Sequence, residues 1–275
     1  MVSHDGGRVR IFVLGSGSSG NCLVVESEGE RLLVDAGLNP TRATERMRSL
    51  GADLVTSRSP LGLFVTHDHG DHAAHALPLA RALRTPIFAH SGAALDRVRR
   101  GVDVRLYVPG RPTTLGPFLI EALSIPHDAP QVALRISATG RRFAIVTDAG
   151  HVTRELRALV EGCDLVFLEA NHCRRLLETG PYPPHLKRRV GGPLGHLANE
   201  QAAELAQSLE DTRVSRLVLV HLSRSNNTPD RARDVVTSRV KRLPVEALPH
   251  AEARRFEVGD STRRLSGAEQ LALAF

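Results

Sequence analysis

The most informative stretch of the chain is Val65-Thr66-His67-Asp68-His69-Gly70-Asp71-His72, which follows an apolar run and precedes a segment of helical character. A turning loop presents alternate side chains to one side, and the start of a helix redirects the next pair. We therefore expect His67 and His69 to serve one metal ion. Asp71 and His72 are expected to serve a neighbouring ion. Nitrogen and carboxylate ligands without thiolates are typical of a catalytic zinc, manganese or iron site with open positions.

Strand-like and helix-like runs alternate on both sides of this stretch, and no linker rich in proline, serine or charge divides the chain. The predicted strands are Val9 to Leu14, Cys22 to Glu26, Arg31 to Asp35, Gly62 to Thr66, Pro86 to Ala89, Val104 to Val108, Phe118 to Ile125, Gln131 to Ser137, Phe143 to Thr147, Leu165 to Glu169 and Leu217 to His221. The predicted helices are Pro40 to Leu50, Ala73 to Leu83, one that opens at Ser91, Val152 to Val160, Asn199 to Leu209 and Pro229 to Leu243. This mixture predicts an α/β fold of two sheets covered by helices, in a single domain over residues 1–275.

The composition is that of an ordinary globular protein, with 275 residues of which 41% are hydrophobic and 24% are charged. The N-terminal stretch lacks the apolar core of a secretory signal, and no apolar run approaches the roughly 20 residues that span a bilayer. The three cysteines, Cys22, Cys163 and Cys173, are far apart and form neither a disulfide framework nor a metal knuckle. We expect a cytoplasmic protein without membrane association.

The net charge is +6, carried by 34 arginines against only two lysines. Arginine binds phosphate through two parallel hydrogen bonds whereas lysine does not, so the bias favours an anionic partner such as nucleic acid. A GC-rich genome that uses arginine codons throughout explains the same bias. The charge balance therefore agrees with nucleic-acid binding and does not establish it.

Four further segments place an aspartate or a histidine at the end of a predicted strand or just after it. They are Leu33-Val34-Asp35-Ala36-Gly37, Ser124-Ile125-Pro126-His127-Asp128, Val146-Thr147-Asp148-Ala149-Gly150 and Leu219-Val220-His221-Leu222-Ser223. Together with the central stretch, these segments resemble, in the same order, the metallo-β-lactamase superfamily. The resemblance implies the α/β fold of that superfamily, a four-layer αββα sandwich with two mixed β-sheets.

The resemblance also implies a ligand set for two divalent metal ions, zinc or manganese. One ion would be held by His67, His69 and His127, the other by Asp71, His72 and His221, and Asp148 would bridge them. Two such ions activate water and stabilise charge on the attacked centre, so a hydrolase is expected, with Asp71 and Asp148 counted among its catalytic residues. Each ligating histidine needs its second ring nitrogen satisfied, for which Asp35 and Asp68 are the nearest candidates.

Further segments indicate a resemblance to one family within this superfamily. They are Gly15-Ser16-Gly17-Ser18-Ser19-Gly20-Asn21-Cys22, Leu168-Glu169-Ala170-Asn171-His172-Cys173, the run from Tyr182 to Val190, Gly195-His196-Leu197-Ala198-Asn199, and the run from His221 to Pro229. Together they resemble the YycJ/WalJ family, proteins of the same fold described as metal-dependent 5′-to-3′ DNA exonucleases. One departure is Ala198, which stands where a hydroxyl residue is expected.

This resemblance implies a role for His196 as the general acid that protonates the leaving oxygen, since an imidazole titrates near neutral pH. A helix-capping role for His196 is the alternative. The residues expected to bind substrate are Ser18, Asn21, Tyr182, Lys187, Arg188 and Asn226. A tight turn at the glycine-rich loop, a solvated basic helix face and simple rim packing are the alternatives for these residues.

The sequence therefore predicts a phosphodiester hydrolase, with a 5′-to-3′ DNA exonuclease as the leading hypothesis and DNA as the partner. A small-molecule phosphodiesterase or thioesterase of the same superfamily is the alternative among hydrolases. A tRNA-processing nuclease lacks support because no long Gly/Pro-rich arm is present. A non-catalytic, metal-stabilised binding module is a further alternative, although such a scaffold needs neither an open two-metal site nor His196.

Overall fold

Two β-sheets packed face to face form the centre of the protein in the computed structural model, which describes residues 8–92, 101–250 and 252–258. In chain order the strands of these residues are β1 (Val9–Gly15), β2 (Cys22–Ser27), β3 (Glu30–Val34), β4 (Gly62–Phe64), β5 (Ile87–His90), β6 (Val104–Tyr107), β7 (Thr113–Leu115), β8 (Phe118–Ile125), β9 (Gln131–Ala138), β10 (Arg141–Val146), β11 (Leu165–Glu169), β12 (Arg216–Val220), β13 (Val245–Ala247) and β14 (Arg254–Val258). The first sheet has the order β14-β1-β2-β3-β4-β5-β6 and the second β13-β12-β11-β10-β9-β8-β7. Both sheets combine antiparallel and parallel pairs, as predicted.

Helices cover the outer face of each sheet. In the described residues they are α1 (Pro40–Ser49), α2 (Gly70–Ala73), α3 (Ala76–Leu83), α4 (Arg154–Glu161), α5 (Arg174–Thr179), α6 (Pro184–Val190), α7 (Asn199–Ser208) and α8 (Pro229–Thr237). Met47 of α1 and Leu79 of α3 belong to the apolar layer outside the first sheet. Leu156 of α4, Ala202 of α7 and Val236 of α8 belong to the layer outside the second. The order helix, sheet, sheet, helix confirms the αββα sandwich. Among the described helices, none combines the length and apolar character that a bilayer crossing requires.

Alternate residues of the central strands face the two sides of their sheet, as a period of two residues requires. In β1, Val9, Ile11 and Val13 lie in the core between the sheets. Phe12 and Leu14 instead face the helical layer of the first sheet. Because both faces are covered, residues Ile11 to Leu14 form a continuous apolar run, from which the sequence analysis located the strand.

The parallel strands of both sheets end at one edge of the sandwich. The residues at or just after these ends are Asp35 (β3), His67 (β4), Asp148 (β10), Glu169 (β11) and His221 (β12). Asp35, Asp148 and His221 have φ values of +61°, +56° and +55°. A side chain other than glycine adopts this left-handed region at a cost in free energy, and such residues cluster at functional sites. The backbone is therefore strained where several strands deliver polar side chains.

Several boundaries differ from those predicted. The helix expected over Ala73 to Leu83 is broken at His75, whose amide donates to the carbonyl of Ala36 beside the end of β3. The helix expected over Pro229 to Leu243 ends at Thr237, because the amides of 241 to 243 donate to the carboxylate of Glu210. Strands β7, β13 and β14 were not predicted, since they are short or half-exposed and carry polar residues. The helix expected to open at Ser91 lies largely outside the described residues, and the single domain over 1–275 stays a prediction.

The inter-sheet core offers a matched test of the sandwich. Phe118 is fully buried between the sheets, whereas its neighbour Leu119 is 40% exposed on the opposite face of β8. Phe118→Ala is expected to lower the free energy of unfolding by about 3–5 kcal/mol, because it leaves a cavity. Leu119→Ala is expected to cost less than about 1 kcal/mol. Urea unfolding of both variants checks this, and equal losses would contradict the assignment of the two faces.

Candidate metal centre

All seven residues predicted as metal ligands lie in one cluster at the edge where the parallel strands end. Within it, four groups each bring candidate ligand atoms within 4.8 Å of one another. These groups are His67 with His69 and His127; His67 with His72 and Asp148; Asp71 with His72 and His221; and Asp148 with Glu169, His196 and His221. The sequence pattern therefore predicted the composition of the cluster, apart from Glu169.

Backbone hydrogen bonds hold the start of α2 against the segments that follow β1 and β3. The amide of Asn21 donates to the carbonyl of Asp71 at 2.7 Å, and the amide of Ala36 donates to that of His72 at 2.6 Å. Gly37 packs so closely that a Cβ at this position would lie 1.9 Å from the Asp71 carbonyl oxygen. Only glycine fits there, so the backbone itself positions the Asp71 and His72 side chains.

The first group consists of three imidazoles whose ring nitrogens converge. His127 Nδ1 donates to the carbonyl of Gly195 at 3.1 Å, which leaves Nε2 as its lone-pair nitrogen, 3.3 Å from His69 Nδ1. Burial and the neighbouring His72 lower the pKa of His67 to about 2. His67 Nε2 is buried without a hydrogen-bond partner among the described residues. Neutral imidazoles with an unpaired nitrogen are in the form that binds a metal ion.

His72 is surrounded by carboxylates. Its Nδ1 donates to Asp35 Oδ2 at 2.7 Å, and its Nε2 lies 3.0 Å from Asp148 Oδ2 and 3.7 Å from Asp71 Oδ2. Burial opposes protonation of this imidazole, but Asp148 and Asp35 raise the pKa of His72 to about 10. Carboxylates gathered around one ring nitrogen require a positive charge between them, which a proton or a metal ion supplies. Asp35, one of the two candidates named from the sequence, thus hydrogen-bonds the second ring nitrogen of the predicted ligand His72.

His221 completes the group that contains Asp71 and His72. Its Nε2 lies 3.4 Å from Asp71 Oδ2, and its Nδ1 donates to Glu169 Oε1 at 2.7 Å. Its backbone amide donates to Ser16 Oγ at 2.7 Å, so the glycine-rich loop after β1 supports the strand end that carries it. Burial would raise the pKa of Asp71, yet the hydrogen bond from His221 and the charge of His72 lower it. Asp71 is therefore ionised, the form required of a ligand.

Asp148 lies between the group of His67, His69 and His127 and the group of Asp71, His72 and His221. It is 2% exposed, and its Oδ1 lies 3.9 Å from His127 Nε2 and 3.8 Å from His221 Nδ1. Although Oδ2 is 3.0 Å from His72 Nε2, it makes no hydrogen bond of good geometry within the described residues. Burial disfavours the charged form of Asp148, but the surrounding imidazoles of His221 and His72 hold its pKa well below the usual range. A carboxylate in this position faces both groups at once.

Glu169 is a site residue that the sequence analysis quoted without assigning a role. It is fully buried and accepts hydrogen bonds of 2.7 to 3.2 Å from the amides of Asp148, Ala149 and Leu197 and from Nδ1 of His196 and His221. Burial would raise the pKa of Glu169, but these imidazoles lower it to about 2. The available signal was one carboxylate ending an otherwise apolar strand. Glu169 fixes the orientation of two histidines at once.

His196 lines the cavity above the cluster, and its Nδ1 donates to Glu169 Oε1 at 2.9 Å. Its Nε2 is therefore the ring nitrogen available to a substrate. Burial opposes protonation, but the Glu169 carboxylate and its hydrogen bond raise the pKa of His196. His196 does not cap α7, whose N-cap is Ala198; the amide of Ala198 donates to the side chain of Gln201 at 2.9 Å. The backbone amide of Ala198 is thus hydrogen-bonded. The alanine side chain, however, cannot accept a hydrogen bond from the amides of the first turn of α7.

A cavity of about 480 Å³ lies over the cluster. Ser18 and Tyr182, two of the residues predicted to bind substrate, line it, and so does Arg189 of α6. Lys187 and Arg188 line a neighbouring groove, because successive residues of α6 face different sides of the helix.

The two asparagines predicted to bind substrate lie beneath the cavity surface. Asn21 is 2% exposed; its Oδ1 accepts from the amide of Gly17 at 2.8 Å, and its Nδ2 lies 2.7 Å from His72 Nε2. Asn226 is fully buried, with its Nδ2 donating to Ser223 Oγ at 3.3 Å. Both side chains therefore contact the protein framework in this structure.

A family model described as the beta-lactamase superfamily domain matches residues 30–222. The chain belongs to the metallo-β-lactamase superfamily. Within this superfamily, the exodeoxyribonuclease YycJ of Bacillus anthracis is 31% identical over 259 residues, 92% of this chain and 95% of YycJ. The exodeoxyribonuclease WalJ of Streptococcus pneumoniae is 33% identical over 230 residues, 80% of this chain and 84% of WalJ. These relatives confirm the predicted membership of the YycJ/WalJ family.

A solved structure agrees with the metallo-β-lactamase fold. The metallo-β-lactamase fold protein YhfI from Bacillus subtilis superimposes with a TM-score of 0.71 at 20% identity, covering 91% of this chain and 100% of YhfI. The likeness at this identity concerns the fold alone. Together with the cluster of histidine and aspartate side chains, membership of this superfamily indicates that the site binds divalent metal.

The contact between Asp35 and His72 generates a test. Asp35→Asn keeps the size of the side chain and tolerates the left-handed backbone, but it removes the charge that orients His72. Loss of such a partner is expected to weaken divalent metal binding by about 10- to 100-fold. Competition with a chelating dye measures the affinity. The exposed Asp53→Asn serves as the control, and an affinity of Asp35→Asn within twofold of the wild type would contradict the positioning role.

Proposed function

We propose that this protein is a metal-dependent phosphodiesterase that removes nucleotides from the 5′ ends of DNA. The observation that carries the proposal is the combination, in one cavity, of a carboxylate and imidazole cluster with His196, whose Nδ1 is held by Glu169. The YycJ and WalJ relatives, described as exodeoxyribonucleases, support DNA as the substrate. The three cysteines are buried and unpaired, which agrees with action in the cytoplasm.

We infer that the cluster holds two divalent ions, zinc or manganese. His67, His69 and His127 would hold one, Asp71, His72 and His221 the other, and Asp148 would serve both. The buried atoms His67 Nε2 and Asp148 Oδ2 fit this assignment, since neither makes a hydrogen bond of good geometry within the described residues. When bound, such ions activate water and offset negative charge on a phosphodiester. The donor set contains nitrogen and oxygen only, as both candidate metals accept.

Asp71 and Asp148 have a second role in this proposal. Asp71 lines the cavity and Asp148 lies at its floor, and nearby imidazoles keep both carboxylates ionised. Ionised carboxylates accept hydrogen bonds from an attacking water and orient it towards phosphorus. Asp71 and Asp148 would therefore orient the attacking water, while the ions would lower the pKa of that water.

His196 acts as the general acid. Cleavage of a phosphodiester leaves an alkoxide oxygen that needs a proton, and Nε2 of His196 is the atom that delivers it. Glu169 holds Nδ1 and stabilises the charged imidazole, so the proton-bearing nitrogen points into the cavity. In this arrangement the proton for the leaving oxygen comes from His196 Nε2. His196 is therefore not counted among the metal ligands.

Substrate contacts come from the walls of the cavity. Tyr182 is proposed to stack against a base and Ser18 to bond a phosphate oxygen. Arg189 also lines the cavity, and its ion pair with Asp128 at 2.5 Å orients its guanidinium group. Lys187 and Arg188 are proposed to contact the strand further from the cluster, in the groove that they line. Asn21 and Asn226, which the sequence analysis expected to contact substrate, are proposed to support the loops that do.

The activity is tested with end-labelled DNA. Metal-loaded protein is expected to release mononucleotides or short oligonucleotides from 5′ ends, more slowly as salt rises, because phosphate contacts weaken with salt. Asp148→Ala is expected to lose bound metal and to reduce cleavage to background. RNA, thioester and lactam substrates are assayed in parallel. Hydrolysis confined to thioesters or lactams would move the protein to another activity of the superfamily.

Removal of His196 separates proton transfer from metal binding. His196→Ala is expected to lower the rate of DNA cleavage by about 10²- to 10⁴-fold and to keep the metal content of the wild type. An ester with an activated leaving group needs less protonation and should lose much less rate. The control is His185→Ala, an exposed histidine of α6. Loss of metal, or equal rate losses on both esters, would count against the acid role.

A further inference from the structure

Three arginines form a positively charged surface beside the metal-site cavity. We propose that this arginine surface, made of Arg42, Arg46 and Arg224, binds backbone phosphates of the DNA strand that stays on the enzyme after each cleavage. The proposal rests on the proposed function, because it assigns a second binding region to the same substrate. It concerns a wall of the cavity other than α6.

Two of the three arginines lie one turn apart on α1, Arg42 in its first turn and Arg46 in its last. Arg42 and Arg46 are four residues apart on the same side of the helix, where like charges repel each other. The first turn of α1 contains no acidic residue, so Arg42 also adds to the positive end of the helix dipole. Among the described residues, Glu45, which lies between them in sequence, makes no ion pair with either arginine. This arrangement is unfavourable for the helix alone and becomes favourable with an anion.

Arg224 reaches the same surface from another segment. Its Nη2 donates to Ser19 Oγ at 3.2 Å, and Arg46 Nη1 donates to the carbonyl of Leu14 at 2.5 Å. Burial lowers the pKa of Arg46, and the charges of Arg42 and Arg224 lower it further. Arg46 is thus anchored on the residue that precedes the glycine-rich loop and Arg224 on a residue within it, which brings the two side chains to the same short segment.

The arginine surface lacks compensating carboxylates. Many other arginines have one, as Arg48 has Asp53 and Arg213 has Asp164. Within residues 8–92, 101–250 and 252–258, none of the three arginines pairs with a carboxylate. Uncompensated positive charge on a surface attracts anions, and the planar guanidinium group matches the oxygens of a phosphate.

The arginine surface adjoins the cavity through two chain segments. Ser18 lines the cavity, and the next residue, Ser19, bonds Arg224. Ser223 also lines the cavity and directly precedes Arg224. A strand with its reacting phosphate in the cavity therefore meets the arginines as it crosses the glycine-rich loop. The polymeric, regularly spaced phosphates of DNA fit such a row of charges, whereas a small diester does not reach it.

The test uses Arg42→Gln combined with Arg224→Gln, since both side chains are exposed and neither supports the core. A phosphorothioate-linked strand of about 20 nucleotides, bound to the metal-loaded protein, gives affinity without turnover. In about 0.15 M salt the double variant is expected to bind about tenfold more weakly. The slope of log affinity against log salt should become shallower by about 1.4, because each single-strand phosphate contact contributes about 0.7. The advantage of a long strand over a dinucleotide in kcat/KM should fall by the same factor.

The control combines Arg239→Gln with Arg242→Gln, which removes two charges elsewhere. These exposed residues lie between α8 and the start of β13, and β13 is parallel to β12, so they occupy the edge opposite His221. An unchanged salt slope and strand-length preference in Arg42→Gln/Arg224→Gln would overturn the arginine surface, and so would equal losses in the control. If the wild type hydrolyses no phosphodiester, the proposed function fails instead, and the salt slope still reports on the arginines.

Discussion

Buried carboxylates and the histidines that they hold form the interaction on which the rest of the site depends. Asp35, Asp148 and Glu169 are each at most 2% exposed, and a buried carboxylate is costly unless partners surround it. His72 stands between Asp35 and Asp148, and His221 contacts Glu169 and lies near Asp148. These charges stabilise one another only where the parallel strands of both sheets end together, so the sandwich and the site require each other.

The positions of the strand ends also explain why candidate metal ligands and candidate substrate-binding residues lie in different parts of the cavity. Residues at or after strand ends carry the candidate ligands together with Glu169, and apart from His69 and Asp71 these side chains are buried. Residues that could touch a nucleic acid lie instead on loops and on α6, above the cluster. The backbone accepts positive φ at Asp35, Asp148 and His221 because hydrogen bonds from neighbouring segments fix each of these positions. The candidate metal ligands thus belong to the sheet framework, whereas the candidate substrate-binding residues lie on surface loops and on α6.

The sequence was most informative where side-chain chemistry and strand position coincide. The stretch from His67 to His72 and the later His127, Asp148 and His221 predicted the cluster, since polar residues after apolar strands are rare without a function. Glu169 was missed because its partners come from distant segments and no spacing connects them. Asn21 was expected at the substrate because it lies in a glycine-rich loop, but only the folded chain reveals that its amide reaches His72. Polar edge strands such as β14 lack a periodic signal for the same reason, as pairing with β1 determines them.

Metal content tests the central claim most directly, since the account requires two adjoining ligand groups that share Asp148. Wild-type protein dialysed against zinc and then against metal-free buffer should retain about two ions per chain by elemental analysis. His69→Ala removes a ligand of one group only and should retain about one ion, with the thermal stability of the fold preserved. Retention of one ion or none by the wild type, or of two ions by His69→Ala, would contradict the account.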